Sequence, residues 1–95
     1  MSSFALSAVA EEDLIQIYIN GATSFGLEQA HRYHQKLFRI FRFLAENPLA
    51  APVRPELKAE IRVHPVASHI VLYMVRKRDI LVLRVRHANE DWLNH

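Results

Sequence analysis

The stretch Ser68-His69-Ile70-Val71-Leu72-Tyr73-Met74-Val75, followed by Arg76-Lys77-Arg78-Asp79 and then Ile80-Leu81-Val82-Leu83-Arg84-Val85-Arg86, decides the fold. Two apolar runs rich in β-branched residues flank a short charged segment, the pattern of two strands joined by a turn. The first run is apolar at both parities, as expected of a central strand. Strands joined by so short a turn run antiparallel. Just upstream, Glu60-Ile61-Arg62-Val63-His64 alternates polar and apolar residues and predicts a half-buried strand ended by Pro65. Residues 48–57, with Pro48, Pro52 and Pro55, read as a loop.

Further upstream the period changes from two to between three and four. Ala30, Tyr33, His34, Leu37, Phe38, Phe41, Leu44 and Ala45 form one broad face of a helix from about Leu27, and Arg32, Lys36, Arg39 and Arg42 form the opposite face. Asn47-Pro48 stops it, because proline disfavours a helical residue before it. A first helix carries Leu14, Ile17, Tyr18 and Gly21 on one face. Ser7 is its cap, and Glu11, Glu12 and Asp13 fall near its positive end. Gly26 separates the two helices, which form a hairpin. Phe4-Ala5-Leu6-Ser7 reads as an edge strand. The order is β-α-α-β-β-β: an α+β fold, with the helical hairpin packed on a small, mainly antiparallel sheet and one domain over residues 1–95.

Composition narrows the function classes. The chain is 51% hydrophobic and 23% charged, which places it among globular rather than disordered chains. Two glycines are too few for a phosphate-cradling loop architecture. Without cysteine there is no disulfide, thiol catalysis or cysteine-ligated zinc, and a reducing compartment fits. No signal peptide or membrane span is expected, which implies a cytoplasmic protein. The net charge of +2 conceals a split: residues 1–31 hold no Lys or Arg, whereas residues 32–86 hold all twelve. A positive face follows, suited to nucleic acid or to acidic protein segments, unless those cations simply face solvent.

Parity suggests where chemistry gathers. Arg62 and His64 alternate with Ile61 and Val63, and so should point away from the core. If Leu81, Leu83 and Val85 face the helices, Arg84 and Arg86 join them on the open face. Arginine is suited to phosphate or carboxylate, and histidine to proton transfer near neutral pH. That set serves a metal-independent ribonuclease or an acidic-peptide surface equally well. Alternatively, Arg84 pairs with Glu90 or Asp91 and anchors the tail. His31 and His34 lack a third ligand at diagnostic spacing, so no metal is expected. His69 reads as a structural histidine, and Trp92 as a tail-docking residue.

Several fragments, in order, resemble the ParE branch of the RelE/ParE superfamily of bacterial toxins over nearly the whole chain. They are Leu6-Ser7 with Ala10 and Asp13-Leu14; Phe25-Gly26 with Gln29-Ala30; Leu44-Ala45-Glu46-Asn47-Pro48; Arg54-Pro55-Glu56-Leu57; Ile61-Arg62; Ser68-His69-Ile70 with Tyr73; and Arg84-Val85-Arg86-His87 with Asp91-Trp92. Ala51 and Glu60 stand where that pattern has glycine, Arg86 where it has an apolar residue and Glu90 where it has methionine. The resemblance implies a toxin without cofactor, held in a hetero-oligomer by a ParD-like antitoxin with an acidic C-terminal segment. It implies DNA gyrase as the target and contact with DNA only through the antitoxin. Target-binding candidates are then Arg62, His64, Arg84, Arg86, His87, Asp91 and Trp92. Antitoxin-binding candidates are Tyr18, Arg32, Phe38, Arg39 and Arg42. No catalytic residue is expected on that reading. The RelE branch, which cleaves messenger RNA on the ribosome, implies instead catalysis by Arg62, Arg84 and His87, near Lys58. A non-toxic regulatory partner is the third possibility.

Overall fold

Ser7 ends one element and starts the next. Its backbone is extended and its Oγ accepts the Ala10 N–H at 2.9 Å, which satisfies a donor that the first helical turn leaves free. The same hydroxyl donates to the Leu83 carbonyl at 2.8 Å. In the computed structural model, which describes residues 3–90, the strand before it is β1 (Phe4–Leu6) and the helix after it is α1 (Ala8–Phe25). Gly26 ends α1 with φ 94° and ψ 161°, a conformation open essentially to glycine alone. The chain turns there into α2 (Leu27–Glu46). Three strands follow, β2 (Arg62–Val66), β3 (His69–Val75) and β4 (Ile80–His87).

The four-stranded sheet has the order β1-β4-β3-β2. β1 lies parallel to β4, and the other two pairings are antiparallel, so the sheet is mixed. Two details depart from the sequence reading. β2 begins at Arg62 rather than Glu60 and runs through Pro65 to Val66, since it is an edge strand, where a missing donor costs little. In β4 the register slips: Tyr73 faces Val82 while Leu72 faces Arg84, which leaves Leu83 as an extra residue. That bulge moves the inward parity by one, so Ile80, Val82 and Val85 all join the helix-side core, where strict alternation predicts Leu81, Leu83 and Val85.

The main core lies between sheet and hairpin. Leu37, Phe41 and Leu44 of α2 and Ala10 and Leu14 of α1 pack with Val71, Tyr73, Ile80, Val82 and Val85. Each fully buried large apolar side chain contributes about 1.5–3 kcal/mol. A second, smaller cluster covers part of the opposite sheet face, where Val63, Ile70 and Leu72 meet Leu57 and Ile61 of the preceding loop. That loop is pinned from the first face as well. The Tyr73 hydroxyl donates to the Pro48 carbonyl at 2.8 Å, and Arg62 Nη1 donates to the Ala51 carbonyl at 2.6 Å. Burial raises the Tyr73 phenol above its ordinary pKa.

Candidate functional site

The register decides which cations meet. Arg62 pairs with Tyr73 and His64 with Val71, and both partners belong to the helix-side core. Arg62 and His64 therefore lie on the helix-covered face, not on the open one. Arg84 pairs with Leu72 and Arg86 with Ile70, residues of the cluster on the opposite face. The four residues expected to gather on one surface are thus divided by the sheet. An edge strand tolerates polar groups on its inward parity because the helices do not fully cover it. His64 accordingly stays half-buried beside Phe43, with ring centroids 6.1 Å apart.

The arginines of β4 are tied down. Asp13 of α1 accepts from Arg84 Nε at 2.8 Å and Nη2 at 3.0 Å, and its Oδ2 also accepts the Val85 N–H at 3.0 Å. This bidentate bond raises the Arg84 pKa further above its already high value. Arg86 pairs with Glu90. The pairing with Glu90 expected for Arg84 is made by Arg86 instead, while Arg84 holds a helix. Asp91 and Trp92 lie outside the described residues.

His87 returns to the helix side, opposite His69, with ring centroids 5.2 Å apart. His69 Nδ1 lies 2.6 Å from the Tyr33 hydroxyl, which also donates to the Val66 carbonyl at 3.2 Å. Burial, and then the proximity of His87, lowers the His69 pKa; burial raises that of Tyr33. These three side chains close one end of a cleft of about 420 Å³ walled by Ile17, Phe25 and Ala30. Sequence reading missed this trio, although Tyr33 and His69 were both visible as polar residues in apolar contexts. Their meeting depends on how α2 lies over the β2–β3 turn.

The antitoxin candidates fall into two groups. Tyr18 and Phe38 are half-buried in a chain of rings: Tyr18 on His34, His34 on Phe38, and Phe38 on Phe4 and Phe41, at centroid distances of 4.7–6.0 Å. The groove between the helices is filled by the protein's own side chains. Arg32, Arg39 and Arg42 are exposed, Arg32 only loosely paired with Glu28 at 3.7 Å. Large apolar residues stand in the open elsewhere: Ile15 and Ile19 on α1, with Phe25 and Leu27 at the hairpin tip, 75% and 69% exposed. No group of three or more potential metal ligands comes together among the described residues. No helix among them is long and apolar enough to cross a membrane.

Two helices on a mixed four-stranded sheet of this order make the fold of ParE- and RelE-like toxins. A chain of a chromosomal ParDE toxin–antitoxin system from P. aeruginosa superposes with a TM-score of 0.79 and 21% identity, over 92% of this chain and 96% of that one. A copper-bound mutant toxin from Helicobacter pylori matches at a TM-score of 0.59 and 17% identity, over 96% and 99%. In sequence, Toxin ParE1 of Caulobacter vibrioides is 32% identical over 95 residues, all of this chain and 98% of that protein. Residues 4–92 match the ParE toxin of the type II toxin–antitoxin system parDE, and the chain belongs to that toxin family.

Proposed function

We propose that this toxin is held inactive by a ParD-like antitoxin and, once released in the cytoplasm, binds DNA gyrase and blocks replication. The observation that favours a binding toxin over a ribonuclease is the dispersal of its cationic groups. Phosphodiester cleavage needs a proton carrier and charge stabilisers converging on one phosphate. Here Arg62 and Arg84 lie on opposite faces of the sheet, and Arg84 is engaged by Asp13. The end of β4, with Arg86 and His87, and the tail residues Asp91 and Trp92 are the proposed gyrase-facing surface.

For the antitoxin, Ile15, Ile19, Phe25 and Leu27 offer apolar anchors to an amphipathic segment. Arg32, Arg39 and Arg42 steer its acidic residues towards those anchors before contact, with Tyr18 and Phe38 supporting the helices from beneath. A supercoiling assay tests the reading. Purified toxin should inhibit gyrase, and the ParD-like partner should restore it. Growth arrest with normal supercoiling and codon-positioned messenger cuts would establish the ribonuclease instead.

A further inference from the structure

We propose that α2 and the β3–β4 turn together form a surface for the phosphate backbone of duplex DNA, so that the toxin touches DNA directly. This goes beyond the gyrase reading and needs neither gyrase nor antitoxin for its test. Arg32, Lys36, Arg39 and Arg42 follow one another at helical spacings and are all exposed. At 1.5 Å per residue they cover about 15 Å of helix axis, a length along which duplex DNA carries about nine phosphate charges.

The stripe does not stop at the helix end. One surface hollow is lined by Arg42, Ser3, Ala45 and Glu46, and the next by Arg76, Lys77 and Arg78 with the same Ser3, Ala45 and Glu46. Arg42 and the turn therefore border one continuous surface. α2 and the turn carry seven Lys and Arg against Glu28, Glu46 and Asp79, an excess of four positive charges. Among the described residues, Lys36, Arg39, Arg42, Lys77 and Arg78 make no ion pair. Arg76 is held by Asp79 through bonds of 2.7 and 2.6 Å, which fixes the turn while leaving Lys77 and Arg78 exposed at its tip.

The company of these cations favours nucleic acid over an acidic peptide. From His31 to Arg42 every exposed side chain of α2 is polar or basic. A bound peptide gains most from apolar anchors; beside these cations stand Phe43 and Val75, 43% and 40% exposed, whereas the more open Ile15, Ile19, Phe25 and Leu27 stand on α1 and at the hairpin tip. Backbone phosphates ask only for charge and hydrogen-bond donors, which this stripe supplies without reading sequence.

Anisotropy of a short fluorescein-labelled duplex of random sequence, titrated with the full chain, tests this. Affinity should fall at least about tenfold between ~50 and ~200 mM salt. Arg39→Gln/Arg42→Gln and Lys77→Gln/Arg78→Gln should each weaken binding by about tenfold, with unchanged melting curves. Lys58→Gln, in the loop packed on the other sheet face, should change it less than about twofold. The proposal is overturned by absence of binding at the lower salt, or by equal losses per charge from Lys58→Gln. Displacement of the duplex by polyglutamate as effectively as by unlabelled DNA of equal charge also overturns it, and assigns the surface to an acidic protein. Gyrase inhibition that persists in variants blind to DNA supports the DNA surface and leaves the gyrase reading standing, so the two readings fail separately.

Discussion

Asp13 is the residue on which the two halves of the chain depend. β1 pairs with β4 only through Val82, so beyond that point the β4 edge needs another acceptor, and the Asp13 carboxylate supplies it to Val85. The same carboxylate neutralises Arg84, with side chains 14% and 30% exposed respectively. Asp13→Asn keeps the shape but strands a half-desolvated guanidinium, and should destabilise the fold by about 2–3 kcal/mol in urea titration. A loss below about 0.5 kcal/mol would make the pair an ordinary surface ion pair. Charge and spacing did not separate Asp13 from Glu11 and Glu12, because its partner lies 71 residues away; only the family resemblance included it. His69 gives a second prediction. Burial and His87 hold its pKa below the ordinary histidine value, so on acidification the unfolded chain binds the proton first. Its contribution to stability is full above about pH 6.5 and is lost as the pH falls towards the folded-state pKa. The melting temperature should drop more between neutral and mildly acidic pH in the wild type than in His69→Gln. Parallel curves for the two proteins would exclude His69 as the source.

At the scale of elements, the two glycines of the hairpin make opposite predictions. A Cβ added at Gly26 would meet open space, but φ there is 94°, so Gly26→Ala costs backbone strain alone, about 1–3 kcal/mol. Gly21 is helical, and an added Cβ there would meet the Ala30 Cβ at 3.5 Å, an ordinary contact. Gly21→Ala should therefore stabilise α1 by about 0.5–1 kcal/mol, and chemical denaturation of the two variants reads both signs. The sequence showed the hairpin, the strand order along the chain and the stop at Asn47-Pro48, since periodicity and proline act locally. It did not show which sheet face each cation occupies. Strand parity transmits a choice made at one residue to every other, so the bulge at Leu83 reversed the inward set of Ile80 to Leu83 while leaving Val85 correct. For β2 the alternation was right and its polarity wrong. Val63 and Ile61 pack under their own loop, on the face away from the helices, and Arg62 and His64 take the other side. A cluster inferred from parity needed both strands to be correct at once.

At the scale of the whole molecule, charge is segregated by element. The first 31 residues carry four carboxylates and no Lys or Arg, while α2 and the β3–β4 turn carry most of the cations. The one bidentate arginine bridge between distant elements, Asp13–Arg84, joins the acidic helix to the end of the sheet among the described residues. Exposed cations that are not consumed in this way generate a field reaching about 10 Å at moderate ionic strength, beyond any direct contact. If the partner is an acidic antitoxin segment anchored on Ile15, Ile19, Phe25 and Leu27, that field acts before contact, on the encounter, and the apolar anchors act after it, on the lifetime of the complex. Charge reversal by Arg39→Glu/Arg42→Glu should therefore slow association about tenfold at low salt and less than about twofold at ~500 mM, with little change in dissociation. Ile19→Ala or Phe25→Ala should do the reverse, speeding dissociation and leaving the salt dependence intact. Stopped-flow mixing with a ParD-like partner measures both rates. Equal slowing by the charge reversal at every ionic strength would mean that Arg39 and Arg42 lie inside the contact rather than steering towards it.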